Sequence, residues 1–191
     1  MPFGRPQKQP APLDEAALHE YALKSLGRRM RSESELRRLM QAKVEHEATG
    51  AAKIAAVIAR LKEYGYLDDT QFAETYTRLR QENEKFGQRR VRQDLSQKGV
   101  SQQIISETIE ARYSDQSEEA LARAHLERKR IRKPENEKET ARVMRRLVTA
   151  GFSTGVIYKI LRQWNVPDET LELLDNLDEK SILDEKSSSD E

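Results

Sequence analysis

Three observations predict an all-α fold. Ala, Leu, Glu, Gln, Lys and Arg, the strong helix formers, dominate the 191 residues, and glycine occurs only eight times. Two segments align without gaps at a spacing of 52: Val91, Leu95, Gly99, Ile104, Ile105 and Ile109 fall on Val143, Leu147, Gly151, Val156, Ile157 and Leu161. Each copy, "RQDLSQKGVSQQII" or "MRRLVTAGFSTGVI", reads as an amphipathic helix, a glycine, one apolar residue, a serine and a second amphipathic helix. A period of this size signals a helical repeat whose units bury their apolar faces against one another.

Taken in order, the chain divides into an arm, three three-helix units and a tail. Residues 1–13, with "MPFGRPQKQPAP", read as a disordered Pro-rich arm that lacks the apolar core of a secretory signal. The first unit, 14–67, opens with a helix over about Glu15 to Arg29. "SESELRRLM" follows, with Ser32 and Glu35 as a capping box and Leu36, Leu39 and Met40 as the apolar stripe. After "VEHEATG" a third helix runs from roughly Ala51 to Tyr64 and ends at Gly65, with Tyr66 placed to contact Leu61.

The second unit, 68–113, begins with Asp68 as N-cap, Gln71 completing a capping box, Leu67 and Phe72 as a hydrophobic staple, and Asp69 at the positive end of the helix dipole. These roles account for the adjacent aspartates without catalysis. Its first helix spans Asp69 to Glu84. Gly99 and Gly151 have the position of left-handed helix terminators. Ser101 and Ser153 are placed as N-caps, and Val100 with Ile105 and Phe152 with Ile157 have staple spacing. The third unit, 114–165, opens with a helix over Ser117 to Arg132 that "KPEN" separates from the next. Residues 166–191 form an acidic tail.

The net charge of +1 conceals an asymmetry. Residues 168–191 hold ten acids against two lysines, a balance of −8, so the remainder carries 32 bases against 23 acids, or +9. A basic body suits a polyanionic partner. The tail is read either as a solubility segment or as an internal polyanion that competes with DNA for that body. Cysteine is absent, which excludes disulfides and thiolate metal sites. No apolar run reaches the ~20 residues of a membrane span, so a cytoplasmic location is expected. His19, His46 and His125 lie far apart, and no P-loop, dinucleotide motif or nucleophile elbow occurs. The reading is a non-enzyme without catalytic residues, cofactor or metal.

Candidate binding residues lie on the second helix of each unit. Arg37 and Arg38, then Arg89 and Arg92 with Arg90 on the flank, then Arg142, Arg145 and Arg146 face away from the apolar positions. Arginine's planar fork suits phosphates and carboxylates alike. The competing reading is a solvated surface with local acidic partners, such as Arg90 with Asp94. "LERKRIRKPE" adds a second basic cluster, read as a helix end. Tyr21, Tyr66, Phe72, Tyr76 and Phe152 fall at core spacing, and Phe86, Tyr158 and Trp164 are left open.

"GYLDDTQFAETY", "FGQRRVRQDLSQKGV" and "AGFSTGVIYKIL" together resemble the hallmarks of the RecX family, bacterial regulators of the RecA recombinase, over about residues 16–164. The resemblance implies a tandem of three-helix repeats forming a curved, elongated molecule. It implies binding within the groove of the RecA–single-stranded DNA filament, in DNA repair by homologous recombination and the SOS response. That binding restrains ATP hydrolysis and strand exchange, with no catalysis or cofactor. The expected partners are the RecA filament and single-stranded DNA, met by a monomer with no membrane. Two stretches depart from the family: the longer "VEHEATGAAK" junction and the acidic tail. The alternative readings are a general DNA-binding helical repeat without a recombinase partner and a helical scaffold for another protein.

Overall fold

The computed structural model describes residues 11–167. Residues 168–191 of the expected acidic tail and the first ten residues of the expected arm lie outside the described residues. Among the described residues the chain is helical, in nine α-helices with no strand. They are α1 (Glu15–Arg28), α2 (Glu33–Gln41), α3 (Ala48–Glu63), α4 (Asp69–Leu79), α5 (Gln88–Gln97), α6 (Gln102–Tyr113), α7 (Glu118–Arg128), α8 (Glu137–Thr149) and α9 (Thr154–Gln163). By contacts the described residues form two compact units: 11–74 with Leu95–Ile105, and Thr75–Asp94 with 106–167.

In the first unit α1 and α2 both pack on α3. Leu18 and Ala22 of α1, Leu36 and Met40 of α2, and Ile54, Val57, Ile58 and Leu61 of α3 form its core. The capping box at the start of α2 is present: the Glu35 N–H donates to Ser32 Oγ, and the Ser32 N–H to Glu35 Oε2. Ser32 Oγ also donates to the Lys98 carbonyl at 2.5 Å, and Lys98 Nζ pairs with Glu35 at 2.8 Å. Leu13 is tied down, its N–H donating to the Lys43 carbonyl. The lengthened junction buries Val44 in this core, and α3 starts at Ala48, a turn earlier than expected.

In the second unit α7 and α8 both pack on α9. The core joins Leu121 and Leu126 of α7, Val143, Met144 and Leu147 of α8, Phe152, and Ile157, Ile160 and Leu161 of α9. Phe152 is 1% exposed, and its truncation to Ala should cost about 3–5 kcal/mol.

Helices α3, α5, α7, α8 and α9 end alike. The N–H of Tyr66, Val100, Ile131, Phe152 or Val166 donates to the carbonyl of a leucine five residues back: Leu61, Leu95, Leu126, Leu147 or Leu161. The residue before each donor has a positive φ, as the terminating motif requires. It is glycine at Gly65, Gly99 and Gly151, but Arg130 and Asn165 elsewhere.

Several expectations need correction. Helix α7 stops at Arg128 instead of running to Arg132, because Arg130 takes φ 52° and turns the chain. Helix α4 gives way at Arg80 to a π-helical turn over Arg80–Glu84, closed by the left-handed Lys85. The Tyr66 ring is 60% exposed beside Tyr64, although its backbone makes the expected bond to Leu61. Tyr21 and Tyr76 are half-buried, Tyr76 because its hydroxyl donates to Asp94. Ser153 does not cap α9 with its side chain. Its hydroxyl and N–H both donate to the Glu118 carboxylate, at 2.8 and 2.7 Å. Ser101 does cap α6 through the Ile104 N–H.

Candidate anion-binding cleft

Helix α8 is positioned by its own start. Asn136 accepts the Glu139 N–H at 3.0 Å, and the Thr140 hydroxyl donates to the Asn136 carbonyl. Thr140, Val143, Met144 and Leu147 are buried, so the helical period turns Arg142, Arg145 and Arg146 outward. The N-terminal end of α5 meets the other end of α8 through the Gly87 N–H, which donates to the Ala150 carbonyl at 2.8 Å. Glycine permits this approach. A Cβ on Gly87 would run into the Gly151 carbonyl, and one on Gly151 into the Arg90 backbone.

The π-helical turn supplies the third side. His125 of α7 is 4% exposed, and its Nδ1 lies 2.9 Å from the Glu84 carbonyl. An acceptor there requires Nδ1 to carry the proton. The ring lies 5.9 Å from Phe86 and 5.8 Å from Phe152, centroid to centroid. Burial holds the imidazole below its ordinary pKa, so it is neutral at neutral pH. The Glu84 carboxylate takes Lys129 at 3.1 Å and Arg128 at 3.4 Å, and the Lys129 hydrogen bond holds it below the usual carboxylate range. Phe86 is fixed by its carbonyl, which accepts the Tyr113 hydroxyl at 2.9 Å.

These elements enclose a cleft of ≈ 620 Å³. Arg90, Lys129, Arg142, Arg145 and Arg146 rim it; Phe86, Ile131 and Ala150 give it an apolar lining, with His125 and Thr149. Among the described residues no carboxylate lines it. A second depression of ≈ 360 Å³ shares Ile131, Arg142 and Arg146 with it and adds Arg130, Arg132 and Lys133, together with Glu135 and Glu139. Arg90 is partly neutralised. Its Nε sits 3.0 Å from Asp94 Oδ1, an ion-pair distance, yet makes no aligned hydrogen bond, and its guanidinium lies 5.9 Å from the Phe86 ring. Arg142, Arg145 and Arg146 pair with no carboxylate among the described residues. Cations at this density suit phosphate or carboxylate oxygens.

Of the eight arginines singled out in the sequence, the cleft gathers Arg90, Arg142, Arg145 and Arg146. Arg89 and Arg92 are exposed on α5 outside the cleft, Arg92 donating to Ser106 Oγ at 3.3 Å. Arg37 and Arg38 belong to the first unit, where Arg37 pairs with Glu33 at 2.7 Å and Arg38 is exposed. Sequence reasoning missed that "LERKRIRKPE" joins this cleft, because the turn at Arg130 has no glycine to mark it. Among the described residues no group of His, Asp or Glu is disposed to hold a metal, and no helix is long and apolar enough to cross a membrane.

The fold and cleft define a class: an all-helical protein of three-helix units with a cation-rimmed cleft. The family model described as "RecX, second three-helix domain" matches residues 68–109. Regulatory protein RecX of Leptothrix cholodnii is 32% identical over 142 residues, covering 74% of this chain and 85% of that protein. The chain belongs to the RecX family. Regulatory protein RecX of Oceanobacillus iheyensis is 32% identical over 148 residues, and that of a Listeria monocytogenes serotype 4a strain 29% over 162. These matches cover 76% and 85% of this chain but 52% and 57% of those proteins, so the chain spans about half the length of these relatives. Two crystal structures share the fold: one of regulatory protein RecX (TM-score 0.61, 21% identity, 78% of this chain and 71% of that one) and one of RecX from Lactobacillus salivarius (TM-score 0.58, 19% identity, 79% and 96%).

Proposed function

We propose that this protein regulates the RecA recombinase by binding the RecA–single-stranded DNA filament, chiefly to limit filament growth and ATP hydrolysis. Membership in a family whose curated relatives are named regulatory protein RecX carries this reading. The cleft supports it physically, since an arginine-rich rim that no carboxylate among the described residues lines matches either DNA phosphates or acidic recombinase side chains. Three three-helix units, at 14–67, 68–113 and 114–165, act together as a monomer with no cofactor. The function asks nothing of these residues beyond occupancy. The test is RecA ATP hydrolysis on single-stranded DNA with substoichiometric protein added. A lowered rate and shorter filaments are expected; an unchanged rate and length would overturn the proposal.

The cleft also favours a second reading, general DNA binding without a recombinase. Binding to bare and to RecA-coated single strands at the same salt separates the two. Preference for the coated strand supports the first reading, and preference for bare DNA the second.

A further inference from the structure

The cleft combines a cationic rim with an apolar lining of Phe86 and Ile131. One segment of the same chain matches both. Residues 168–191 carry the −8 balance and interleave Leu171, Leu174 and Leu177 with Glu172, Asp175 and Asp178. That segment follows α9, which packs on the helices carrying Lys129 neighbours and the arginine rim, α7 and α8. We infer that the acidic segment 168–191 occupies the cleft of its own chain, its carboxylates on Arg142, Arg145 and Arg146 and its leucines on the apolar lining.

Reach and concentration allow it. Twenty-four residues extend up to roughly 80 Å, at about 3.3 Å each. Tethering places such a segment at an effective concentration in the ~mM range, so weak individual contacts suffice. The rim is available, because Arg142, Arg145 and Arg146 have no acidic partner among the described residues. Occupancy by an internal polyanion excludes weakly held nucleic acid and yields to a partner that makes many contacts at once. This regulatory consequence rests on the function proposed above; the intramolecular contact does not.

The contact is tested on the full chain alone, without DNA or RecA, by carbodiimide cross-linking and peptide mass spectrometry. Links from Lys129 and Lys133 to residues 168–191 are expected to exceed those from exposed Lys24 by several-fold. They should fall sharply at high salt and in the R142E/R145E variant. Links spread evenly over the lysines, or unchanged in that variant, would overturn the inference. A second arm replaces Asp168, Glu169, Glu172, Asp175, Asp178 and Glu179 by their amides in the full chain. Affinity for an oligo-dT strand should rise at least threefold at low salt, with the gain shrinking as salt rises and absent on the R142E/R145E background. No gain in the otherwise unaltered chain would overturn the competition. Failure of the RecA assay leaves the cross-linking result readable, so the two proposals fall separately.

Discussion

The Asp69 carboxylate accepts the backbone N–H of Glu33 at 2.8 Å, so a residue in the first turn of α4 also satisfies the start of α2. Its neighbour Asp68 caps its own helix, accepting the N–H groups of Thr70 and Gln71. The paired aspartates thus hold two helix starts. Asp68→Ala should cost about 1 kcal/mol as a lost cap. Asp69→Ala should cost about 1–3 kcal/mol, since it strands a donor. Burial raises the Asp69 pKa, so the folded state holds its proton more tightly. Its contribution to stability therefore falls as pH rises from the ordinary Asp range through the raised value. Asp69→Asn keeps the acceptor and removes that dependence. Urea unfolding across pH checks this, and equal losses for Ala and Asn would refute the capping role.

Glycine substitutions should separate strain from space. Gly151 combines φ +90° with a Cβ position against the Arg90 backbone, so Gly151→Ala should cost several kcal/mol and loosen the cleft. Gly65 has φ +70° in open space, so Gly65→Ala should cost only about 1–2 kcal/mol. Gly155 lies inside α9 with nothing near it, and Gly155→Ala should stabilise by about 0.5–1 kcal/mol. Thermal midpoints should rank the three variants in that order.

His125 should make the second unit acid-sensitive. Its folded pKa is depressed by burial, so the unfolded chain takes up the proton first as pH falls. Its contribution is complete above about pH 6.5 and is lost as pH drops through that value toward the folded one. His125→Phe fills the same space between Phe86 and Phe152 but strands the Glu84 carbonyl. The variant should be about 1 kcal/mol less stable at neutral pH and flatter between pH 7.5 and 5.5. Urea midpoints over that interval decide it.

Reversing the cleft arginines should alter salt dependence as well as affinity. If Arg142 and Arg145 each meet a phosphate of a single strand, R142E/R145E should lower the slope of log K against log salt by about 1.4, at ~0.7 per contact. R89E/R92E, outside the cleft, should change it less. The full set of four would lower it by about 3 only if all four arginines make contact. All are outward on their helices, so circular dichroism should be unchanged.

Much of this was legible in the sequence because the glycine-plus-apolar junction is a local signal. Gly99 with Val100 and Gly151 with Phe152 mark helix ends that need no knowledge of the rest. Arg130 and Asn165 make the same turn without glycine, so the end of α7 and the placement of Ile131 were not legible. The outward arginines of α8 follow from its period. Their meeting with Arg90 depends on the Gly87–Ala150 hydrogen bond, a contact between residues far apart in sequence that periodicity does not encode. Tyr66 shows the converse: its spacing suggested burial, and only its backbone obeys the motif.

The π-helical turn over Arg80–Glu84 bears on how related chains line up. A turn closed from i to i+5 stores one residue more than an α turn. A relative lacking that residue would carry α4 straight on, rotating every later position by about 100°. The carbonyl that accepts the His125 Nδ1–H hydrogen bond would then point elsewhere, leaving a buried imidazole without its acceptor. Among homologues, a one-residue gap within 80–84 should therefore travel with replacement of the histidine at 125, an insertion and a side chain inherited as a pair.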